Sequence, residues 1–143
     1  MKKVAIVYWS GSGNTEAMAN AVKAGVESAG AQADLFSVSD FNADAVAGYD
    51  GVALGCPAMG AETLEESEFQ PVYDEVKPSL DGKPVALFGS YGWGTGEWME
   101  AWVQDAEEAG AKVFEKGLII NEAPDDDGIA ECESFGKRFA ESE

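Results

Sequence analysis

Three observations predict a doubly wound α/β fold, a parallel sheet covered by helices on both faces. Apolar runs of strand length alternate with amphipathic stretches of helical period along the whole chain. The first run, Val4-Ala5-Ile6-Val7-Tyr8-Trp9, is apolar without alternation, as in a strand buried on both faces. Five strand–helix units follow one another with no internal repeat and no linker, which implies right-handed crossovers between parallel strands. The 143 residues suit one domain, spanning 1–143.

The elements can be justified in order. After the first strand, Asn14 or Thr15 can cap a helix running to about Ala29. Ala17, Met18, Ala21, Val22 and Val26 form its apolar stripe, and Gly30 ends it. A second strand fits Ala33 to Val38, and a short helical turn fits Ala43 to Ala47. Gly51-Val52-Ala53-Leu54-Gly55 is a third strand. Phe69 to Ser79 is amphipathic enough for a helix, with Pro71 tolerated in its first turn. Val85-Ala86-Leu87-Phe88 is a fourth strand, and Glu97 to Ala109 a helix closed by Gly110. Val113-Phe114 and Leu118-Ile119-Ile120 make a fifth strand that can split at Lys116-Gly117. Asp125-Asp126-Asp127 opens the last helix, where acidic groups oppose the helix dipole. Ile129, Cys132, Phe135 and Phe139 follow at helical spacing.

Composition narrows the function. Acidic residues number 27 against 9 basic ones, a net charge of −18. Such a chain is repelled by nucleic acid and by anionic membrane surfaces. It suits partners with basic docking faces, although acidity can also serve solubility alone. There is no histidine, so neither a histidine metal site nor a Ser-His-Asp triad is possible. Cys56 and Cys132 stand far apart with no C-x-x-C, which reads as reduced thiols in a cytoplasmic protein. The apolar run after Lys2-Lys3 is too short for a signal peptide, and no run is long enough to cross a bilayer.

In doubly wound sheets ligands bind at the carboxyl ends of the strands, where the strand order reverses. The loops after strands one, three and four are therefore the informative ones. The first reads Ser10-Gly11-Ser12-Gly13-Asn14-Thr15. Its glycines permit a tight path, its amides and the helix start attract an anion, and its side chains add donors. It has no lysine, as a P-loop needs, and position 16 is Glu16, where a dinucleotide fingerprint needs glycine. A phosphatase loop would need a cysteine and an arginine nearby, and the only arginine is Arg138. A plain Ser/Gly turn leading into a helix is the alternative.

Read together, the three loops resemble the short-chain flavodoxins, the clostridial type above all. The first extends from Tyr8 to Glu16. The second is Leu54-Gly55-Cys56-Pro57-Ala58-Met59-Gly60-Ala61-Glu62. The third is Phe88-Gly89-Ser90-Tyr91-Gly92-Trp93-Gly94-Thr95-Gly96-Glu97-Trp98. The likeness covers the whole chain, including Asn121-Glu122-Ala123-Pro124-Asp125. It implies a flavodoxin-like three-layer sandwich with a five-stranded sheet ordered 2-1-3-4-5, the arrangement for which flavodoxin is a standard example. It also implies non-covalent FMN and a low-potential one-electron carrier shuttling between redox enzymes on the semiquinone/hydroquinone couple.

The resemblance assigns roles. Met59 and Trp93 would sandwich the flavin ring, where an indole and a thioether give contact area and dispersion. Trp93, between Gly92 and Gly94, is better placed as a presented plate than as a core anchor. Gly60 would carry the redox switch, since a peptide flip there needs a residue that tolerates positive φ. Glu62 would accept from flavin N3–H, standing out from its neighbouring surface acids Glu65, Glu66 and Glu68 by matching position. Pro57 and Ala58 would line the second loop, and Ser90 and Tyr91 the third, with Tyr91 toward the ribityl or phosphate end. Pro57 stands where some relatives carry a serine that reaches the phosphate, and Ala61 where many carry a polar residue. Trp98 and Trp102 read as packing residues, as does Cys56.

Three rivals use the same architecture or loops. A signalling receiver needs acids after strand one, an aspartate ending strand three and a lysine ending strand five; Trp9-Ser10, Gly55-Cys56 and Asn121 stand there instead. An FMN-dependent NAD(P)H quinone reductase would need a further pocket, for which few residues remain. FMN storage is the third. The expected molecule is a monomeric carrier without catalytic residues or metal.

Overall fold

The computed structural model describes residues 1–11, 13–59, 64–92 and 96–142. Its strands are β1 (Lys3–Tyr8), β2 (Gln32–Ser37), β3 (Gly51–Gly55), β4 (Pro84–Tyr91), β5 (Lys112–Val113) and β6 (Leu118–Asn121). Its α-helices are α1 (Asn14–Ser28), α2 (Ala43–Val46), α3 (Phe69–Val76), α4 (Glu97–Glu108) and α5 (Asp126–Glu141). All strand pairs are parallel, in the order β2-β1-β3-β4, with β5 and β6 both pairing to β4. The order 2-1-3-4-5 is thus observed, and the fifth strand is split as its sequence suggests. Between β5 and β6 the chain turns through Glu115 at φ 54° and Gly117 at φ 79°. A side chain at Gly117 would run into Met99 of α4, so the split lets the edge close onto the helix layer.

Strand residues alternate between two cores. Val4, Ile6, Ala53, Ala86, Phe88 and Leu118 face α1 and α5. Ala5, Val7, Val52, Leu54, Val85 and Leu87 face α3 and α4 with their Phe69, Tyr73, Trp98 and Trp102. With both faces covered, β1 and β3 can be apolar throughout, which is why their runs show no alternation. Helices α1 and α5 cross at two glycines: a Cβ on Gly25 would overlap the Glu133 carbonyl oxygen, and one on Gly136 the Val22 carbonyl oxygen.

Several boundaries depart from expectation, most by a single residue. The cap of α1 is Gly13, at φ 93°, rather than Asn14 or Thr15. Strand β2 begins and ends one residue early, with Val38 already in a 3₁₀ turn. Helix α3 stops at Val76 and continues as a 3₁₀ turn over Lys77–Leu80, because Pro78 has no N–H and its ring crowds the carbonyl four residues before it. Strand β4 runs on to Tyr91, since β6 pairs with it as far as Tyr91–Asn121. Ser90 and Tyr91 are therefore strand residues, held more firmly than a loop would hold them.

Candidate functional site

At the carboxyl end of the sheet, β1 connects to β2 on one side and its neighbour β3 connects to β4 on the other, so the connections leaving these two adjacent strands diverge and open a crevice between them. Three chain segments meet there. The amide of Trp9 donates to the Gly55 carbonyl (3.0 Å), joining the first segment to the second. Cys56 N–H donates to Phe88 O (3.1 Å) and Ala58 N–H to Ser90 O (3.0 Å), so 56–58 runs beside β4 beyond the end of β3. That closeness requires Gly89, whose Cβ would overlap the Cys56 carbonyl oxygen. The buried hydroxyls of Thr15 and Ser90 lie 3.1 Å apart and join the first segment to the third.

The start of α1 is built to receive an anion. Its first intrahelical bond runs from Ala17 N–H to Gly13 O, leaving the amides of Asn14, Thr15 and Glu16 without partners among the described residues. Gly13 offers no capping side chain, and the space where its Cβ would be is open. Two other helix starts, α2 and α5, are closed by the side chain of their own cap residue. Asn42 accepts from Ala45 N–H at α2, and Asp125 from Gly128 N–H at α5. Ser10 Oγ accepts from Gly13 N–H (3.0 Å), which shapes the turn and leaves the hydroxyl proton to donate. Tyr8 OH donates to Glu16 Oε2 (3.1 Å), so the acid of this segment is held by a neighbour. Burial, then that hydrogen bond, pushes the Tyr8 phenol above its ordinary pKa. None of the three segments contains a lysine or arginine, so an anion at this helix start would be met by dipoles and hydrogen-bond donors rather than by a cation of these segments.

Of the residues expected to bind, Ser10, Gly11, Gly13, Asn14, Thr15, Pro57, Ala58, Met59, Ser90, Tyr91 and Gly92 gather around this crevice. Ser12, Gly60, Glu62, Trp93 and Gly94, with Ala61, lie outside the described residues. Thr15 turns its hydroxyl to Ser90 and is 1% exposed, so it offers an anion its amide rather than its side chain. Met59 and Tyr91 are half-buried, and the Tyr91 ring stands 5.8 Å from Trp98. Trp98 and Trp102 are buried packing residues, as read from sequence.

The family model for flavodoxin matches residues 6–136. The chain belongs to the flavodoxin family. It is 51% identical to a flavodoxin of Megasphaera elsdenii over 97% of this chain and 99% of that one. It is 46% identical to a flavodoxin of Clostridium beijerinckii over 94% and 97%. The solution structure of the two-electron reduced M. elsdenii flavodoxin superposes with a TM-score of 0.89, covering 97% of this chain and 99% of that one. Flavodoxins are FMN-binding electron carriers rather than enzymes, and this chain is one of them. The residues present fit the cofactor: an amide-lined, uncapped helix start suits a phosphate, and the half-buried side chains of Met59 and Tyr91 suit the edge of a flat apolar ring. No described helix is long and apolar enough to cross a membrane.

Two residues have more to do at this site than their sequence suggests. Cys56 is not only packing: its Sγ accepts from Glu65 N–H (3.4 Å) and its carbonyl from Trp98 Nε1 (3.4 Å). Burial pushes its thiol up to about 12. Glu65 is not a surface acid. It is 7% exposed, and its carboxylate accepts from the amides of Ser67 (3.0 Å), Glu68 (2.7 Å) and Phe69 (2.9 Å). Burial raises the Glu65 pKa, but those amides outweigh it and hold the carboxyl below its ordinary value. The only sequence signal was an acid four residues ahead of an amphipathic helix, which is weak on its own.

Proposed function

We propose that this chain is a low-potential one-electron carrier, with FMN held across the carboxyl ends of β1, β3 and β4. Ser10, Gly11, Ser12, Gly13, Asn14 and Thr15 would hold the phosphate. Pro57, Ala58, Met59, Gly60 and Glu62 would border the ring on one side, and Ser90, Tyr91, Gly92, Trp93 and Gly94 on the other. The observation that carries this reading is the start of α1, where a left-handed glycine cap leaves three amides without partners among the described residues, open to an anion. FMN supplies the redox chemistry when bound. The protein binds, orients and electrostatically tunes it.

The tuning follows from charge. Each added electron enters a chain of net charge −18, with no lysine or arginine in the binding segments to offset it. One like charge a few Å away, at an effective dielectric near 20, opposes reduction by on the order of a few kcal/mol. A reduced cofactor in such a field is a strong reductant. The same charge suits redox proteins with basic docking faces, and association with them should weaken as salt rises. We assign a monomer of one domain, working in the cytoplasm. The test is FMN titration of the apoprotein, then anaerobic reduction with dithionite. Two separated one-electron steps support the reading. Failure to take up FMN, or rapid NAD(P)H oxidation by the holoprotein alone, refutes it.

A further inference from the structure

The chain leaves the sheet after Cys56, and at Glu65 it again meets Cys56, so one residue is contacted on both sides of the second binding segment. On departure, Cys56 N–H donates to Phe88 O, and the Cys56 carbonyl accepts from Trp98 Nε1. On return, Glu65 N–H donates to Cys56 Sγ (3.4 Å), and Glu65 O accepts from Gln70 N–H (2.8 Å). The Glu65 side chain then turns into the start of α3, where one oxygen takes the amides of Glu68 and Phe69 and the other that of Ser67. Helix α3 has no cap of its own, since the Glu68 side chain accepts no amide there and instead accepts from Trp9 Nε1 (3.3 Å). A buried carboxylate is costly without compensation. Here three charge-assisted bonds supply it, and they also fix where the returning chain sits.

From this geometry we propose that Glu65 is a positioning residue for the flavin ring. It acts through Cys56 and α3 to hold the base of the segment that carries Met59, and the proposal rests on the FMN reading above. A mere helix cap would stabilise the fold and leave cofactor affinity alone once the protein is folded. A positioning residue changes ring affinity at temperatures where every variant is fully folded, and it leaves the phosphate end, built on α1, untouched.

The experiment compares wild type, Glu65→Gln and Glu65→Asp as apoproteins, each first shown folded by circular dichroism at the working temperature. Dissociation constants are measured for FMN, for riboflavin and for inorganic phosphate. The Gln variant keeps one acceptor oxygen but sets an NH₂ against the Ser67 amide; Asp keeps the charge on a shorter arm. We expect FMN and riboflavin to bind roughly tenfold more weakly in Glu65→Gln, about the value of one charge-assisted hydrogen bond, with phosphate unchanged. Asp should recover part of the loss. Unchanged FMN and riboflavin affinity in both folded variants overturns the proposal, as does an equal loss for phosphate. If wild type itself binds no FMN, the functional reading falls instead, so the two failures are distinguishable.

Discussion

The Thr15–Ser90 pair gives a sharp test of how the site is assembled. The two hydroxyls are 3.1 Å apart, 1% and 4% exposed, and join the first turn of α1 to the end of β4. Replacing Thr15 by Val keeps the volume and removes the hydroxyl, taking a partner from the Ser90 hydroxyl and from the Ser90 amide, which donates to Thr15 Oγ1 (3.4 Å); Ser90→Ala leaves Thr15 Oγ1 with that amide alone. The net bond is worth about 1 kcal/mol, and an orphaned buried hydroxyl costs about 1–3 kcal/mol, so each single change should destabilise the apoprotein by about 2 kcal/mol. The double change leaves no hydroxyl orphaned, only the Ser90 amide without its side-chain acceptor. It should cost less than the sum of the singles, with a coupling of about 1–2 kcal/mol. Urea denaturation of the four apoproteins measures this; with a slope near 2 kcal/mol per molar, each single shifts the midpoint by about 1 M. FMN titrations add a second reading. Because the pair ties the first segment to the third, each single should weaken FMN, and the double should regain part of the affinity. Additive stabilities, or an affinity that falls further in the double than in either single, would refute the reasoning and mean that the hydroxyls serve the ligand directly.

Gly13→Ala forces a residue with a Cβ into φ 93° and fills the open side of the anion cradle. It should cost about 1–2 kcal/mol of apoprotein stability and weaken FMN as well, readable by denaturation and fluorescence titration. Gly136→Ala, at the α1–α5 crossing, should lower the melting temperature strongly, yet leave FMN affinity unchanged in whatever protein remains folded. Both thiols are buried and pushed up to about 12, so neither should react with Ellman's reagent until urea unfolds the chain. Glu65 has a folded pKa below its unfolded value near 4.3, so its stabilising contribution is fully present above that value and is lost as pH falls through the folded one. The stability gap between wild type and Glu65→Gln should therefore be constant at neutral pH and shrink below about pH 4, measured as urea midpoints across that range.

The fold was legible because its signals are local and repeated. An apolar run such as Val4 to Tyr8 can sit only where both faces are covered, and a chain of such runs alternating with helical stripes has few ways to fold. The split of the last strand was legible from Lys116-Gly117, and the acidic opening of α5 from Asp125, whose side chain does accept from Gly128 N–H (2.8 Å). The departures came from partners remote in sequence. Strand β4 extends to Tyr91 because β6 lies alongside it, a fact that 84–91 does not encode on its own. The cap of α1 falls on Gly13 because a positive φ carries the chain from the turn into the helix, where Asn14 looked the better cap by type.

The candidate site divides along the same line. The first loop announces itself by chemistry that any anion cradle needs: glycines, small polar side chains, and a helix start without a lysine. The second is different, because what holds it is long-range. Nothing in the composition of 62–68 separates Glu65 from the acids around it. Burial does, and burial is decided by where α3 packs against Trp98 and Trp102. Its carboxylate then takes three amides at once. A chain of net charge −18 has many carboxylates to place at its surface. This one is placed inside, where its cost is met by hydrogen bonds and its position is fixed by them. Among the described acids, the informative one is the one that the fold buries.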